Sequence, residues 1–219
     1  ILGINIGKNA VTPIERAVDD YLICLRKVYN HTDYIAINIS SPNTKNLRSL
    51  QADSELKVLL SAITDERKRL MDGNRGKYVP IALKIAPDLD NDDILRIADQ
   101  LVHFGIDGII ATNTTISRDA IKGMPHCEET GGLSGKPLYE RSTEVVALLY
   151  KHLQETLPII ASGGVMSAED AVAKMQAGAI LVQLFTGFMY NGPILIADCV
   201  DEVAKWRKTQ TGARASLRP

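Results

Sequence analysis

The sequence predicts an α/β fold in which helices cover a parallel sheet and, within that class, a (β/α)8 barrel. Three observations carry this expectation. Strand-like and helix-like segments alternate along the whole chain. The strand-like segments are continuous apolar runs, the pattern of strands buried on both faces. Several runs end in polar residues: Asn-Ile-Ser-Ser-Pro-Asn-Thr at 38–44, Lys84 within 81–85, and Ala-Thr-Asn-Thr-Thr at 111–115. The C-terminal ends of the strands are where a barrel assembles its site. A doubly wound open sheet competes with the barrel. It is weakened because no Gly-x-Gly-x-x-Gly follows a strand.

The elements follow in order. Residues 1–6 form a short apolar strand ending at Gly7. Residues 14–29 place Ile14, Ala17, Val18, Tyr21, Leu22, Leu25 and Val28 on one helical face. A strand covers 34–39, and a helix over 54–70 carries Leu56, Leu59, Leu60, Ile63 and Leu70. After a strand at 79–85, a helix over 91–104 starts from Asp90 or Asn91 as its cap and stops at Gly105. A strand at 108–111 leads into a Gly- and Pro-rich loop, 113–137, long enough to suggest a function. A helix at 139–154 and a strand at 158–162, ending in Ser162-Gly163-Gly164, come next. A short helix at 167–176, a strand at 179–184 and a helix at 193–208 complete the pattern. Six strands are present where a barrel needs eight. The expectation is one barrel domain over 1–219 that supplies strands three to eight, the N-terminal part of the barrel lying outside this sequence.

Composition narrows the function. With 45% hydrophobic residues and a net charge of −1, the 219-residue chain has material for one soluble core and no basic surface for nucleic acid. Cys24, Cys127 and Cys199 are odd in number and widely spaced, which suits neither a disulfide framework nor a metal site. No apolar run is long enough to span a bilayer. The absence of an initiator Met leaves room for a targeting or membrane segment before Ile1.

The polar residues suggest chemistry. Barrels commonly hold phosphate in the loops after their last two strands. Here those loops carry Gly163-Gly164 and Phe185-Thr186-Gly187, in that order. Glycine pairs alone more often make tight turns, but both loops together favour a phosphorylated cofactor. Lys84 has two readings of equal weight: a lysine reaching the barrel mouth or a paired ion, and a cation that stabilises charge on a cofactor ring. Ser40, Ser41 and Thr44 are hydroxyl candidates, with turn capping as the plainer role. Asn38, Asn43 and Asn113 suit the carbonyl and amide edges of a ligand, or tie loops together. No histidine stands in a strand-end context, which argues against a Ser-His-Asp hydrolase.

Four of these motifs, with Gly-Ile-Asn-Ile-Gly-Lys-Asn at 3–9, resemble the dihydroorotate dehydrogenases. The four are residues 38–44, Leu-Lys-Ile-Ala-Pro-Asp-Leu at 83–89, residues 111–115, and Thr-Gly-Gly-Leu-Ser-Gly-Lys-Pro-Leu at 130–138. The resemblance runs in order from residue 1 to about residue 204. Ser41, where one branch of the family has cysteine, points to the class 2, quinone-reducing branch, and the wording looks bacterial.

The resemblance implies an FMN-dependent barrel that oxidises dihydroorotate to orotate in pyrimidine (UMP) synthesis, with a quinone as acceptor. It implies Ser41 as catalytic base and Thr44 as its relay. Asn38, Asn43, Asn113 and Thr114 match substrate contacts. Asn5, Asn38, Lys84, Thr112, Gly135, Gly164, Phe185 and Thr186 match cofactor contacts. Phe185 stands where Tyr is common, and Ala161-Ser162 where Gly-Val is commoner. No metal is implied. Peripheral attachment to the cytoplasmic side of the inner membrane is expected only through a segment N-terminal to this chain. Two other readings stay open: an inactive barrel fragment, and a phosphate-binding isomerase or synthase without flavin.

Overall fold

The computed structural model describes residues 1–215. Residues 216–219 of the expected single unit lie outside the described residues. Six strands form one parallel sheet: β1 (Gly3–Gly7), β2 (Tyr34–Asn38), β3 (Ile81–Ile85), β4 (Gly108–Ala111), β5 (Ile159–Ser162) and β6 (Leu181–Gln183). Their spatial order is their chain order, and the sheet curls into part of a barrel. A doubly wound sheet reverses its order at a switch point; this one does not. Among the described residues β1 and β6 each pair on one side, which leaves Ile180 and Leu181 exposed at one edge.

Seven α-helices accompany the described strands: α1 (Ala17–Val28), α2 (Asp53–Gly73), α3 (Asn91–His103), α4 (Tyr139–Leu153), α5 (Ala168–Gln176), α6 (Thr186–Asn191) and α7 (Ile194–Ala215). Local chemistry sets their ends. Asp90 accepts the Asp93 amide at 2.7 Å to start α3. Ser167 and Asp170 form a reciprocal capping box at α5. Two expectations shift. The helix read over 14–29 begins and ends as 3-10 turns, Ile14–Arg16 after Pro13 and Tyr29–His31. The helix read over 54–70 runs to Gly73. Between β2 and α2, residues Leu47–Gln51 form a 3-10 turn that buries Leu47 and Leu50.

Strand side chains alternate between faces, and the two faces differ. Ile35, Ile37, Ile81, Leu83, Ile109, Ala111, Ile159 and Ala161 point toward the helices and join Leu56, Leu59, Leu60, Ile63, Ile94, Ile97, Val145 and Leu149 in one core. The concave face has a small apolar floor of Ala36, Ala82 and Ile110. Above it the strand ends turn polar. The parallel register aligns Gly7, Asn38, Lys84, Ile110, Ile160 and Leu181 across the sheet. Ser162 and Gln183 lie level with each other two residues further on.

Candidate functional site

A cavity opens at the C-terminal ends of β3 to β6. Its walls include Lys84, Thr112, Asn113, Thr114, Gly135, Gly164, Phe185 and Thr186, eight residues that the sequence singles out. Ser134, Ser162, Gly163 and Gln183 also line it. Gln183 was legible as a polar residue ending the last strand; Ser134 had no signal beyond its place in the long loop.

Lys84 carries the main electrostatic feature. It sits between Leu83 and Ile85, both fully buried, and burial pushes its ammonium below the usual lysine range. Among the described residues it has no hydrogen bond and no ion pair. A mostly buried, unpartnered cation is costly unless something anionic or electron-rich meets it.

Beside it, three polar side chains form a closed network. Asn113 Nδ2 donates to Asn38 Oδ1 and to Ser40 Oγ, both at 3.1 Å. Ser40 donates its backbone N–H to Asn38 Oδ1 at 3.2 Å, and its hydroxyl lies 3.1 Å from the same oxygen. Fully buried Tyr21 on α1 donates to the Asn38 carbonyl at 2.7 Å. That helix contact fixes the backbone from which the Asn38 side chain projects. The Ala111–Thr112 peptide is cis.

A second layer, absent from the sequence reading, ties the loops together. Arg48 donates from Nε to the Ser40 carbonyl (3.0 Å), from one terminal nitrogen to Asp88 (2.7 Å) and from the other to the Thr114 carbonyl (2.9 Å). Asp88 also accepts the Thr115 hydroxyl and the Ile116 amide. One guanidinium therefore joins the loops that follow β2, β3 and β4. Its planar fork of donors suits that task.

The remaining expected residues stand at the margins. Ser41 and Thr44 are half-buried in the loop after β2. Ser41 Oγ accepts the Asn43 amide at 3.3 Å, and the two hydroxyls are not bonded to each other. Asn43 is exposed. Its side-chain oxygen faces Gly131, 3.6 Å from where a Cβ would stand there. Pro42 is closer still to Gly132, 3.0 Å from where a Cβ would stand, so this loop packs on the long loop over the cavity. Asn5 is exposed on edge strand β1, level with Ala36. Phe185 keeps most of its ring in solvent.

At the far end of the cavity, Gly163 and Gly164 have positive φ of 115° and 78°, and the Gly164 amide has no partner among the described residues. Thr186, the first residue of α6, donates its hydroxyl to Ser134 at 3.0 Å. The cavity thus has a free backbone donor at one end and a bare cation with a ring of amides at the other. That suits a ligand with an anionic terminus and a polar, flat head. Among the described residues no group of three or more His, Cys, Asp or Glu is placed to hold a metal ion. No helix among them is long and apolar enough to cross a membrane.

Comparison with known proteins agrees with this geometry. The family model for dihydroorotate dehydrogenase matches residues 1–206. The dihydroorotate dehydrogenase (quinone) of Burkholderia pseudomallei (strain 668) is 57% identical over 205 residues, covering 94% of this chain and 60% of that protein. Its counterpart in Burkholderia mallei (strain SAVP1) is also 57% identical, with 59% of that protein covered. Among solved structures, Eimeria tenella DHODH in complex with ferulenol superposes with a TM-score of 0.89 at 38% identity, over 97% of this chain and 59% of that one. The ligand-free type from the same organism gives 0.86 at 40% identity, over 93% of this chain and 58% of that one. The chain thus spans about three-fifths of the length of the curated relatives it matches. With the matching motifs gathered at the ends of one parallel sheet, the chain belongs to the dihydroorotate dehydrogenase family.

Proposed function

We propose that the chain serves the FMN-dependent oxidation of dihydroorotate to orotate, with a quinone as final acceptor, in de novo pyrimidine (UMP) synthesis. The observation that carries this reading is Lys84, a mostly buried cation without a partner inside a polar cavity. Flavin cofactors gather negative charge on reduction, and such a cation meets it. The other end fits a phosphate: the free Gly164 amide, and Gly135 at φ 78°, where a Cβ would stand 3.1 Å from the Thr186 methyl. Asn5, Thr112, Gly135, Gly164, Phe185 and Thr186 are the further cofactor contacts in this reading, and Asn38 reaches both cofactor and substrate.

Bound FMN would supply the redox chemistry, as the acceptor of the hydride equivalent that leaves the substrate. The protein's own residues do the rest. Asn38, Asn43, Asn113 and Thr114 hold the amide and carbonyl edges of the substrate ring, and the Asn38–Ser40–Asn113 network keeps two of them aligned before binding. Ser41 Oγ removes the proton beside a carbonyl. A serine hydroxyl is a weak base, so Thr44 and water carry its proton outward. Peripheral attachment at the cytoplasmic face of the inner membrane, where a lipid-soluble quinone is reached, belongs to the same reading, through a segment N-terminal to this chain.

The test is direct. The purified protein should carry flavin absorbance, bleach anaerobically with dihydroorotate and recover colour with a soluble quinone. A colourless protein that binds no added FMN would sink the proposal.

A further inference from the structure

Lys174 is fully buried on α5, and nothing in the proposed chemistry uses it. Its ammonium has three acceptors: the Tyr139 carbonyl at 3.1 Å, Ser142 Oγ at 2.5 Å and Thr143 Oγ1 at 2.6 Å. It also lies 4.8 Å from the centre of the Tyr139 ring. All of these belong to the first turns of α4, which packs directly behind the glycine pair after β5. A Cβ on Gly164 would come within 2.3 Å of Tyr139 Cα.

The hydrogen-bond directions follow from the lysine. An ammonium only donates, so both hydroxyls accept from it and must pass their own protons elsewhere. Thr143 donates to the Tyr139 carbonyl at 2.7 Å. Ser142 has two carbonyls in reach, Gly163 at 2.9 Å and Tyr139 at 3.1 Å. Tyr139 is already served by Lys174 and Thr143, which leaves Gly163 as the carbonyl in need of the Ser142 proton. Gly163 C=O and Gly164 N–H belong to one trans peptide group and point in opposite directions. With the carbonyl held against α4, the N–H turns toward the cavity that both glycines line.

We propose that Lys174, acting through Ser142, is a positioning residue that locks the Gly163–Gly164 peptide with its amide presented to a phosphate monoester. This rests on the proposed reading of the cavity's glycine end as the phosphate end of an FMN site. Without the ammonium, Tyr139 loses a donor and Ser142 can turn to it, releasing Gly163. The peptide is then free to rotate and the anion loses an aligned donor. Burial pulls the Lys174 ammonium down to about 7, so the added attraction for a dianion from behind the loop belongs to its protonated form. Its neighbours are the Tyr139 phenol over which it lies, Asp170 on its own helix, and Lys136, which pairs with Asp170 at 3.3 Å and lies 4.4 Å over the same ring.

The test compares FMN with riboflavin, which lacks the phosphate. Dissociation constants for both are measured by flavin fluorescence on the full chain stripped of flavin, for the parent, Lys174→Met and Ser142→Ala. The expected result is a loss of FMN affinity of about 10- to 100-fold in each variant, with riboflavin affinity unchanged. A merely structural role would weaken both ligands alike or neither, and either pattern overturns the inference. If Lys174→Met does not fold, Ser142→Ala, which removes one oxygen, decides alone. A parent protein that holds riboflavin as tightly as FMN would instead refute the phosphate assignment on which the inference rests.

Discussion

The two faces of the sheet are made by the same strands and do opposite work. In β3, Leu83 points outward into the helix-covered core while Lys84, the next residue, points into the cavity. The outer face is aliphatic from β2 to β5, and its side chains meet the apolar stripes of α2, α3 and α4. The inner face is a thin floor of Ala36, Ala82 and Ile110 under polar strand ends. In the proposed reading, stability is concentrated on one face and ligand chemistry on the other, separated by the two-residue period of a strand. A substitution should therefore affect either folding or chemistry according to the parity of its position.

The largest expected effect falls on chemistry alone. Ser41→Ala should slow reduction of bound flavin by dihydroorotate about 10²- to 10⁴-fold, with flavin content and melting temperature unchanged. Stopped-flow reduction at the parent rate would remove Ser41 as base. The adjacent pair in β3 tests parity next. Leu83→Ala should cost about 2–5 kcal/mol in urea unfolding and leave the folded fraction able to hold flavin. Lys84→Met should preserve or raise stability, since it removes an unpartnered buried charge, while flavin retention and reduction rate fall. The same phenotype from both substitutions would show that the faces are not separable.

How far the sequence revealed this division depends on the kind of signal. Continuous apolar runs identified all six strands, because strands buried by helices on one side and a barrel floor on the other need apolar residues at both parities. The ends of 34–38, 81–85 and 108–111 advertised the site because Asn38, Lys84 and Asn113 interrupt such runs. Arg48, Asp88 and Lys174 gave no such sign. Each lies on a turn, a loop or a helix where a charged residue is ordinary, and each acts on the site through backbone groups and side chains that folding brings near. Arg48 reaches the Thr114 carbonyl, 66 positions away, and no local pattern encodes that contact. The 3-10 starts and ends around α1 were missed because helical periodicity does not distinguish the two helix types over one turn.

The helix layer offers a third test, of smaller size. Glu66 on α2 is 8% exposed in its side chain and sits between Arg26 of α1 and Arg69. Hydrogen bonds from Arg26 and then Arg69 hold its carboxyl down to about 2. A depressed carboxyl contributes stability above its unfolded pKa, near 4.5, and that contribution is lost as pH falls toward 2. Glu66→Gln should therefore lower stability at neutral pH by about 1–2 kcal/mol and flatten the acid limb of the stability profile between those values. Chemical denaturation at a series of pH values reads both. An unchanged slope would mean that the two arginines do not hold this carboxylate in solution.

The smallest expected effect lies where the two faces meet. Asp90 follows the loop that carries Asp88, so it stands close in sequence to the clamp on the site, yet its side chain faces the helix layer and accepts the Asp93 amide as the cap of α3. The loop has its own independent anchors: Arg141 donates to the carbonyls of Pro87 and Leu89, each at 2.9 Å, and Arg48 holds Asp88. Loss of the cap therefore frees one helix amide without releasing the loop. Asp90→Ala should cost about 1 kcal/mol of stability and leave flavin reduction within experimental error of the parent. Asp88→Asn, two residues earlier, should do the reverse, because it weakens the ionic clamp that joins the loops after β2, β3 and β4. If Asp90→Ala slows reduction as much as Asp88→Asn, then helix capping and site geometry are coupled through the 86–90 loop, and the separation of the two faces ends there.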